Sequence, residues 1–506
     1  MISFLVLWVF ATLISQTTAA EKKVVCYYGS WAVYRPGAGR FPVEEIDPFI
    51  CTHLVYGFVG LSGGNTIRVL DAWNDLPDNW GKNAFGRFNK LKEVNPKLKT
   101  IVAIGGWNEG STKYSAMAAS RESRQIFINS VVEFLDRWGF DGLDMDWEYP
   151  GSRGGKPEDK VTFVLLLKEL KEAFKSRGYL LTAAVGAGKA TMEAGYNIRE
   201  MAKHLDIINV MTYDYHGGWE KNTGHNSPLY ARPEETGADA LLNMNYSINY
   251  WIDQGAPREK IILGMGLYGR AFTLQRAEDH GLGALAPSAG QRGPYTREPG
   301  MLGYNEICEG ITKGEKWTVV WVDHYEAPYA YKDRQWVGYD DPRSIQIKVN
   351  YAKDMNLGGG MVWSIETDDF QGICHGRRFP LINIIHETLR GPIVRPHTGE
   401  TPRPSVSPSP TQGSRPTKRP KPTERPKPTE GPKPTQRPKP TEGPKPTERP
   451  KPTGDNNECT SVGWFRDPND CARYWQCYES TALRCPPGTI FDLTSKVCNW
   501  TRYTQG

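Results

Sequence analysis

The sequence contains no apolar run long enough to cross a membrane: a span needs ~20 apolar residues, and the stretch Phe4 to Ile14 falls well short. With the small residues Thr18-Ala19-Ala20 behind it, that stretch reads as a cleaved secretory signal over residues 1–20, which predicts a secreted, extracellular protein in which disulfides are permitted. A basic folded face is missing too. Net charge is +5, yet residues 392–455 hold fourteen Lys or Arg against six Asp or Glu, a surplus of eight that leaves −3 for the rest of the chain. That distribution argues against a nucleic-acid partner, which would need positive charge and stacking aromatics on one folded surface. Residues 391–457 have almost nothing apolar to set against the entropy of ordering them. They are a spacer: the repeat running from Lys421-Pro-Thr-Glu-Arg-Pro426 to Lys445-Pro-Thr-Glu-Arg-Pro450 favours extended polyproline II, and its threonines suit O-glycosylation.

Cysteine is sparse before the spacer, with only Cys26, Cys51, Cys308 and Cys374, whereas five crowd between Cys459 and Cys498. The chain therefore divides into a signal (1–20), a large domain (21–390), a linker (391–457) and a small disulfide-stapled module (458–506). Within the large domain, apolar β-rich runs alternate with helical-looking segments: Val24 to Gly29, His53 to Val59, Thr100 to Gly106, Phe140 to Glu148, Leu180 to Val185, Ile207 to Asp214, Ile261 to Gly269 and Gly359 to Glu366. Parallel strands buried on both faces read this way. Eight of them predict an α/β fold of the (β/α)8 TIM-barrel type, with an open doubly wound sheet as the competing architecture. The gap before the eighth run is too long for one crossover helix, so an α+β insertion rich in Tyr and Trp is expected over about 271–355.

Side chains two apart along a strand share a face, so Asp144, Asp146 and Glu148 point one way while Leu143, Met145 and Trp147 point the other. Three carboxyls in one low-dielectric row cannot all ionise. The one that closes the strand, Glu148, stands where barrel enzymes build their sites and is expected to keep its proton as a general acid. A hard cation would also accept three carboxylates but would not explain their alternation with large apolar residues, so neither metal nor cofactor is expected. Asp141 is out of phase and reads as structural.

The run Phe140-Asp-Gly-Leu-Asp-Met-Asp-Trp-Glu-Tyr-Pro150 resembles the signature strand of the family 18 glycoside hydrolases, the chitinases. Further matching motifs fall in order: Cys26-Tyr-Tyr-Gly-Ser-Trp31, Ile104-Gly-Gly-Trp107, Met211-Thr-Tyr-Asp-Tyr-His216, Tyr268-Gly-Arg270 and Met361-Val-Trp363. The resemblance implies an endo-acting chitinase that cleaves β-1,4 bonds between N-acetylglucosamine units with retention and without a protein nucleophile. Glu148 would protonate the leaving oxygen and the substrate's own acetamide would attack. Asp146 would steady that acetamide, Asp144 would share a proton with Asp146, and Tyr213 and Asp214 would grip the acetamide from the other side. Substrate contacts are sought in Tyr27, Trp31, Phe58, Trp107, Met211, Trp219 and Trp363; each aromatic ring is equally open to being plain core. Arg270 is either a substrate or carboxylate contact or a structural ion pair. The family also implies the pairings Cys26–Cys51 and Cys308–Cys374.

Cys459, Gly463-Trp-Phe465, Tyr474-Trp-Gln-Cys477, Cys485-Pro-Pro-Gly488 and Cys498-Asn-Trp500 resemble the peritrophin-A type of chitin-binding domain. That family's pattern would join Cys459 to Cys477 and Cys485 to Cys498, leave Cys471 free, and set Trp464, Tyr474, Trp475 and Tyr478 against sugar rings. Sequons mark Asn245 and Asn499 for N-glycosylation. The expected partners of this monomer are chitin and its oligomers. The rival reading is a chitin-binding barrel that has lost catalysis, against which the intact acid and its neighbours weigh.

Overall fold

Eight strands pair in parallel, each with the next and the last with the first: Lys23–Gly29, His53–Leu61, Lys99–Gly105, Gly142–Asp146, Leu180–Gly186, Ile207–Met211, Ile261–Gly266 and Gly359–Trp363. This closed barrel, seen in a computed structural model that describes residues 21–395 and five short strands after residue 463, excludes the open doubly wound sheet. Period-two patterning sorts the side chains into two cores. Val25, Tyr27, Val55, Ile101, Ala103, Ile262 and Met361 fill the barrel interior, whereas Val24, Cys26, Tyr28, Leu54 and Tyr56 join the layer beneath the helices. The helix Arg121–Trp138 shows how that outer layer is covered. Ser120 caps its first turn, accepting from the Ser123 N–H at 3.1 Å, and Phe127, Ile128, Val131, Phe134 and Leu135 bury one face at helical spacing. Each such side chain contributes about 1.5–3 kcal/mol, so a charge at Phe127 would detach the helix.

Several strands stop earlier than their apolar runs suggest. The fourth pairs with the third only as far as Asp146 and the sixth ends at Met211, so Glu148, Tyr213 and Asp214 stand in the loops just beyond. With no ladder partner, the backbone there is released to turn across the barrel mouth. The insertion likewise starts at Tyr268 and not at about 271. Its antiparallel sheet runs in the order Ser288–Ala289, Tyr268–Thr273, Gln335–Gly338, Ala327–Lys332, Thr318–Val322. It closes at Gly338, because Pro342–Asp354 is already a barrel helix packed on the seventh and eighth strands.

Disulfides join Cys26 to Cys51 and Cys308, on the insertion helix Tyr304–Thr312, to Cys374. Asn245 lies in the first turn of the helix Met244–Asp253, where its side chain accepts from the Tyr351 hydroxyl at 3.1 Å and the sequon's Ser247 is buried. Among the described residues no helix is long and apolar enough to cross a membrane. In the C-terminal region Trp464–Arg466, Arg473–Gln476 and Thr481–Arg484 form one antiparallel sheet, and Thr489–Asp492 and Val497–Trp500 another. The signal, the linker from residue 396 onward, Cys459, Cys471, Cys477, Cys485 and Tyr478 lie outside the described residues, as do the side chains of Trp464, Tyr474, Trp475, Cys498 and Asn499.

Candidate active site

The fourth barrel strand turns Leu143 and Met145 toward the helices and Asp144 and Asp146 inward. Trp147 continues the outer series, its indole donating to the Ser111 hydroxyl at 2.9 Å, and this anchors the backbone on which Glu148 stands. Asp144 is fully buried and accepts from the Tyr27 hydroxyl at 2.8 Å, from the Thr182 hydroxyl, and from the Asn209 amide at 3.4 Å. Burial pushes its carboxyl up to about 6, against the pull of those donors toward the charged form. Asp146 has no such support. Its Oδ1 is buried without a partner, and burial, Glu148 and Asp144 together raise its carboxyl well above the usual range. Glu148, only 9% exposed, is pushed up to about 7, mainly by burial, with Asp214 adding to the rise and Tyr149 and Arg153 opposing it. The row thus meets neutral pH still carrying protons, and its innermost member ionises first.

The third strand comes very close to this row. A Cβ at Gly105, where φ is +119°, would lie 2.0 Å from the Asp146 carbonyl oxygen, which instead accepts from the Gly106 N–H at 2.8 Å. Opposite the row, Asp214 accepts from the Tyr268 hydroxyl at 2.6 Å and forms a two-point ion pair with Arg270 at 2.6 and 2.7 Å. Arg270 is therefore a carboxylate contact that fixes Asp214. Tyr213 is buried, and its hydroxyl reaches only the Met361 sulfur, at 3.8 Å.

These groups open into a cleft of about 1310 Å³, with one wall supplied by the insertion through Tyr268, Arg270, Glu298 and Met301. Trp31, Trp107 and Trp219 are 42%, 60% and 59% exposed, and Met211, Phe58 and Trp363 are half-buried along it. Phe58 stacks against Trp363 at 5.7 Å and against Trp31 at 6.1 Å, making a continuous aromatic strip. Tyr27 differs from these. It is buried and its hydroxyl is committed to Asp144, so it braces the carboxyl row where the others offer a ring face.

Thr182, Asn209 and Arg153 were not singled out from the sequence, and Tyr268 appeared there only within the Tyr268-Gly-Arg270 motif, without a site role. Arg153 lies 3.5 Å over the Trp107 ring and donates to the backbone carbonyls of Trp107 and Glu148. For Thr182 and Asn209 a signal existed: each is a lone polar residue inside an apolar strand run, in phase with the barrel interior. Asp141 binds Lys92 and the Thr100 N–H at the far end of the strand, in keeping with a structural role. Among the described residues the one grouping of three potential metal ligands is Cys308, Asp369 and Cys374, and its two sulfurs are bonded to each other.

Residues 23–368 match the family described as glycosyl hydrolases family 18, and residues 459–505 match the chitin binding Peritrophin-A domain. An endochitinase of Manduca sexta is 40% identical over 95% of this chain and 94% of its own. The crystal structure of an Ostrinia furnacalis Group IV chitinase in complex with allosamidin is 45% identical, with a TM-score of 0.71, over 73% of this chain and 99% of its own. Human YKL-39, described as a pseudo-chitinase with retained chitooligosaccharide binding, is 39% identical with a TM-score of 0.67 over 73% of this chain and 99% of its own.

Proposed function

The chain belongs to family 18 of the glycosyl hydrolases, and we propose that it is a secreted, endo-acting chitinase that works by substrate-assisted retention. The observation that carries this reading is the buried, unpartnered Oδ1 of Asp146 beside a Glu148 raised to about 7. An acceptor held ready next to a protonated acid suits a substrate that brings its own N–H, and a 2-acetamido sugar does.

Glu148 gives its proton to the glycosidic oxygen as the bond to the anomeric carbon breaks. The acetamido carbonyl oxygen bonds to that carbon, giving an oxazolinium ion whose N–H donates to Asp146. Asp144, ionised first, takes up the proton that Asp146 sheds, so the pair's negative charge moves onto Asp146, beside the new positive one. Glu148, now a carboxylate, removes a proton from water as it opens the oxazolinium ring, and the original anomeric configuration returns. Tyr213 and the Arg270-braced Asp214 hold the acetamide from the far side, and the strip Trp31, Phe58 and Trp363 with Trp107 and Trp219 carries the flanking sugars. The C-terminal module keeps the enzyme on the solid polymer through the linker.

The test is the product distribution and anomeric form released from an N-acetylglucosamine hexamer. Internal cuts yielding β-anomers are expected; release of monomer alone, or of α-anomers, would refute the endo or the retaining assignment respectively. Ending the chain near Gly391 is expected to leave turnover of soluble oligomers unchanged and to weaken retention on chitin beads.

A further inference from the structure

Glu366 has no place in the scheme above, yet its surroundings are specific. It is fully buried in the short turn Ile365–Thr367, just after the eighth barrel strand. One carboxylate oxygen accepts from the Gly29 N–H at 3.1 Å and the other from the Ser364 hydroxyl at 2.6 Å. Arg35 approaches from another side, donating to the Glu366 carbonyl at 3.3 Å and lying 3.7 Å from the carboxylate. Gly29 and Arg35 are the residues that bracket the turn Ser30–Tyr34, so this one residue ties both ends of the segment that carries Trp31. The fit is close: a Cβ at Gly29 would meet the carboxylate at 2.6 Å.

The same residue follows Trp363 by three positions, and the Trp31 and Trp363 rings lie 6.1 Å apart. Trp363 also packs on Tyr27, the partner of Asp144, which places Trp31 one ring further from the carboxyl row. A buried ion pair is weak evidence for stability, since well-packed apolar residues often serve as well. Here it connects the turn that carries Trp31 to the segment that follows the strand ending in Trp363, and turn and strand each carry one piece of the aromatic strip.

We infer that Glu366 is a positioning residue that, through Gly29 and Arg35, holds Trp31 in register with Trp363 and so sets the enzyme's preference for long N-acetylglucosamine oligomers over short ones. This rests on the chitinase reading. A short substrate seated on Trp363 does not need Trp31, whereas a hexamer does.

The experiment compares wild type and Glu366→Gln, as full chains, on a fluorogenic N,N′-diacetylchitobioside and on the N-acetylglucosamine hexamer. For the hexamer kcat/KM is expected to fall about tenfold, mostly through KM, with the disaccharide changing less than about twofold. Adding Glu366→Gln to Trp31→Ala is expected to cost nothing further on the hexamer. Equal losses on both substrates, or full additivity with Trp31→Ala, would overturn the assignment. Arg35→Gln cuts only one of the two ties and carries the same test if Glu366→Gln accumulates poorly. A wild type inactive on both substrates would instead sink the chitinase reading, and the positioning role with it.

Discussion

Asp340 and Lys348 are as deeply buried as Asp144 and Asp146, but the two groups are built on different terms. Asp340 pairs with Lys348 and accepts from the Ser227 hydroxyl at 2.6 Å and the Ser344 hydroxyl at 2.7 Å. Lys348 in turn donates to the Ser227 carbonyl, and the neighbouring His225 is pushed down to about 4 by burial and by Lys348. Burial works to raise Asp340, yet Lys348, His225 and the hydroxyl donors keep its carboxyl below the usual range. The carboxyl row has no cation at its centre and leaves one acceptor unfilled. A satisfied buried pair fixes geometry, here between the link after the insertion and a barrel helix; an unsatisfied row stores protons and an open bonding position.

The largest effect that would sharpen this contrast is catalytic. Glu148→Gln removes the transferable proton while keeping the shape, and kcat on the hexamer is expected to fall by about 10²–10⁴ with unfolding temperature held or raised. Turnover within a few-fold of wild type would break the assignment of the row to chemistry. Lys348→Met should do the reverse. It strands Asp340 without a counter-charge and is expected to cost about 3–5 kcal/mol of stability, read by denaturant unfolding, while kcat per folded molecule is retained. Pairing it with Asp340→Leu should restore much of the loss, as expected where the cost lies in the uncompensated charge.

The two clusters should also answer pH with opposite signs. Glu148 goes from an ordinary 4.5 to about 7 on folding, so between those values the folded protein holds a proton that the unfolded chain has released. Its contribution to stability is complete below the ordinary value and is lost as pH rises through about 7. Asp340 is lowered on folding, so its contribution is present above the ordinary carboxylate value and is lost as pH falls. Glu148→Gln should therefore gain thermal stability over wild type at about pH 8 and show little difference near pH 4. Activity follows the acid form: kcat/KM should decline on the alkaline side with a midpoint near 7. A gain that was equal at both pH values would show that Glu148 is not desolvated in solution.

How far the sequence could be read follows from the same physics. Period two placed Asp144 and Asp146 inside and Leu143 and Met145 outside, because neighbouring strands hold the backbone extended there. Glu148, Tyr213 and Asp214 lie past the last ladder bonds, and their positions are set by contacts from other strands, such as Tyr268 and Arg270 on Asp214, which no local spacing encodes. Lys348 sits in a helix where its charge would ordinarily face water; Asp340, just before that helix, and Ser227, 121 residues away, make its burial possible. Tyr27 looked like one aromatic among several, and what separated it was its hydroxyl, whose partner lies 117 residues away.

Thr182→Val gives the smallest effect and the finest division between the clusters. The swap keeps the side chain's shape inside the fifth strand and removes one of the donors that hold Asp144 charged, leaving Tyr27 and Asn209 in place. A hydrogen bond to a charged group is worth about 1.5–3 kcal/mol, so the Asp144 carboxyl should climb by about one to two pH units toward its neighbours. The acid limb of kcat/KM, which reports ionisation of the innermost carboxyl, should move upward by about the same amount, and the alkaline limb set by Glu148 should stay. Ser227→Ala is the matched control: it deletes a comparable donor to Asp340, and it should lower stability without moving either limb. If Thr182→Val left the acid limb where it was, the donors around Asp144 would be scaffolding of the same kind as those around Asp340. The distinction between the clusters would then rest on Asp146 and Glu148 alone.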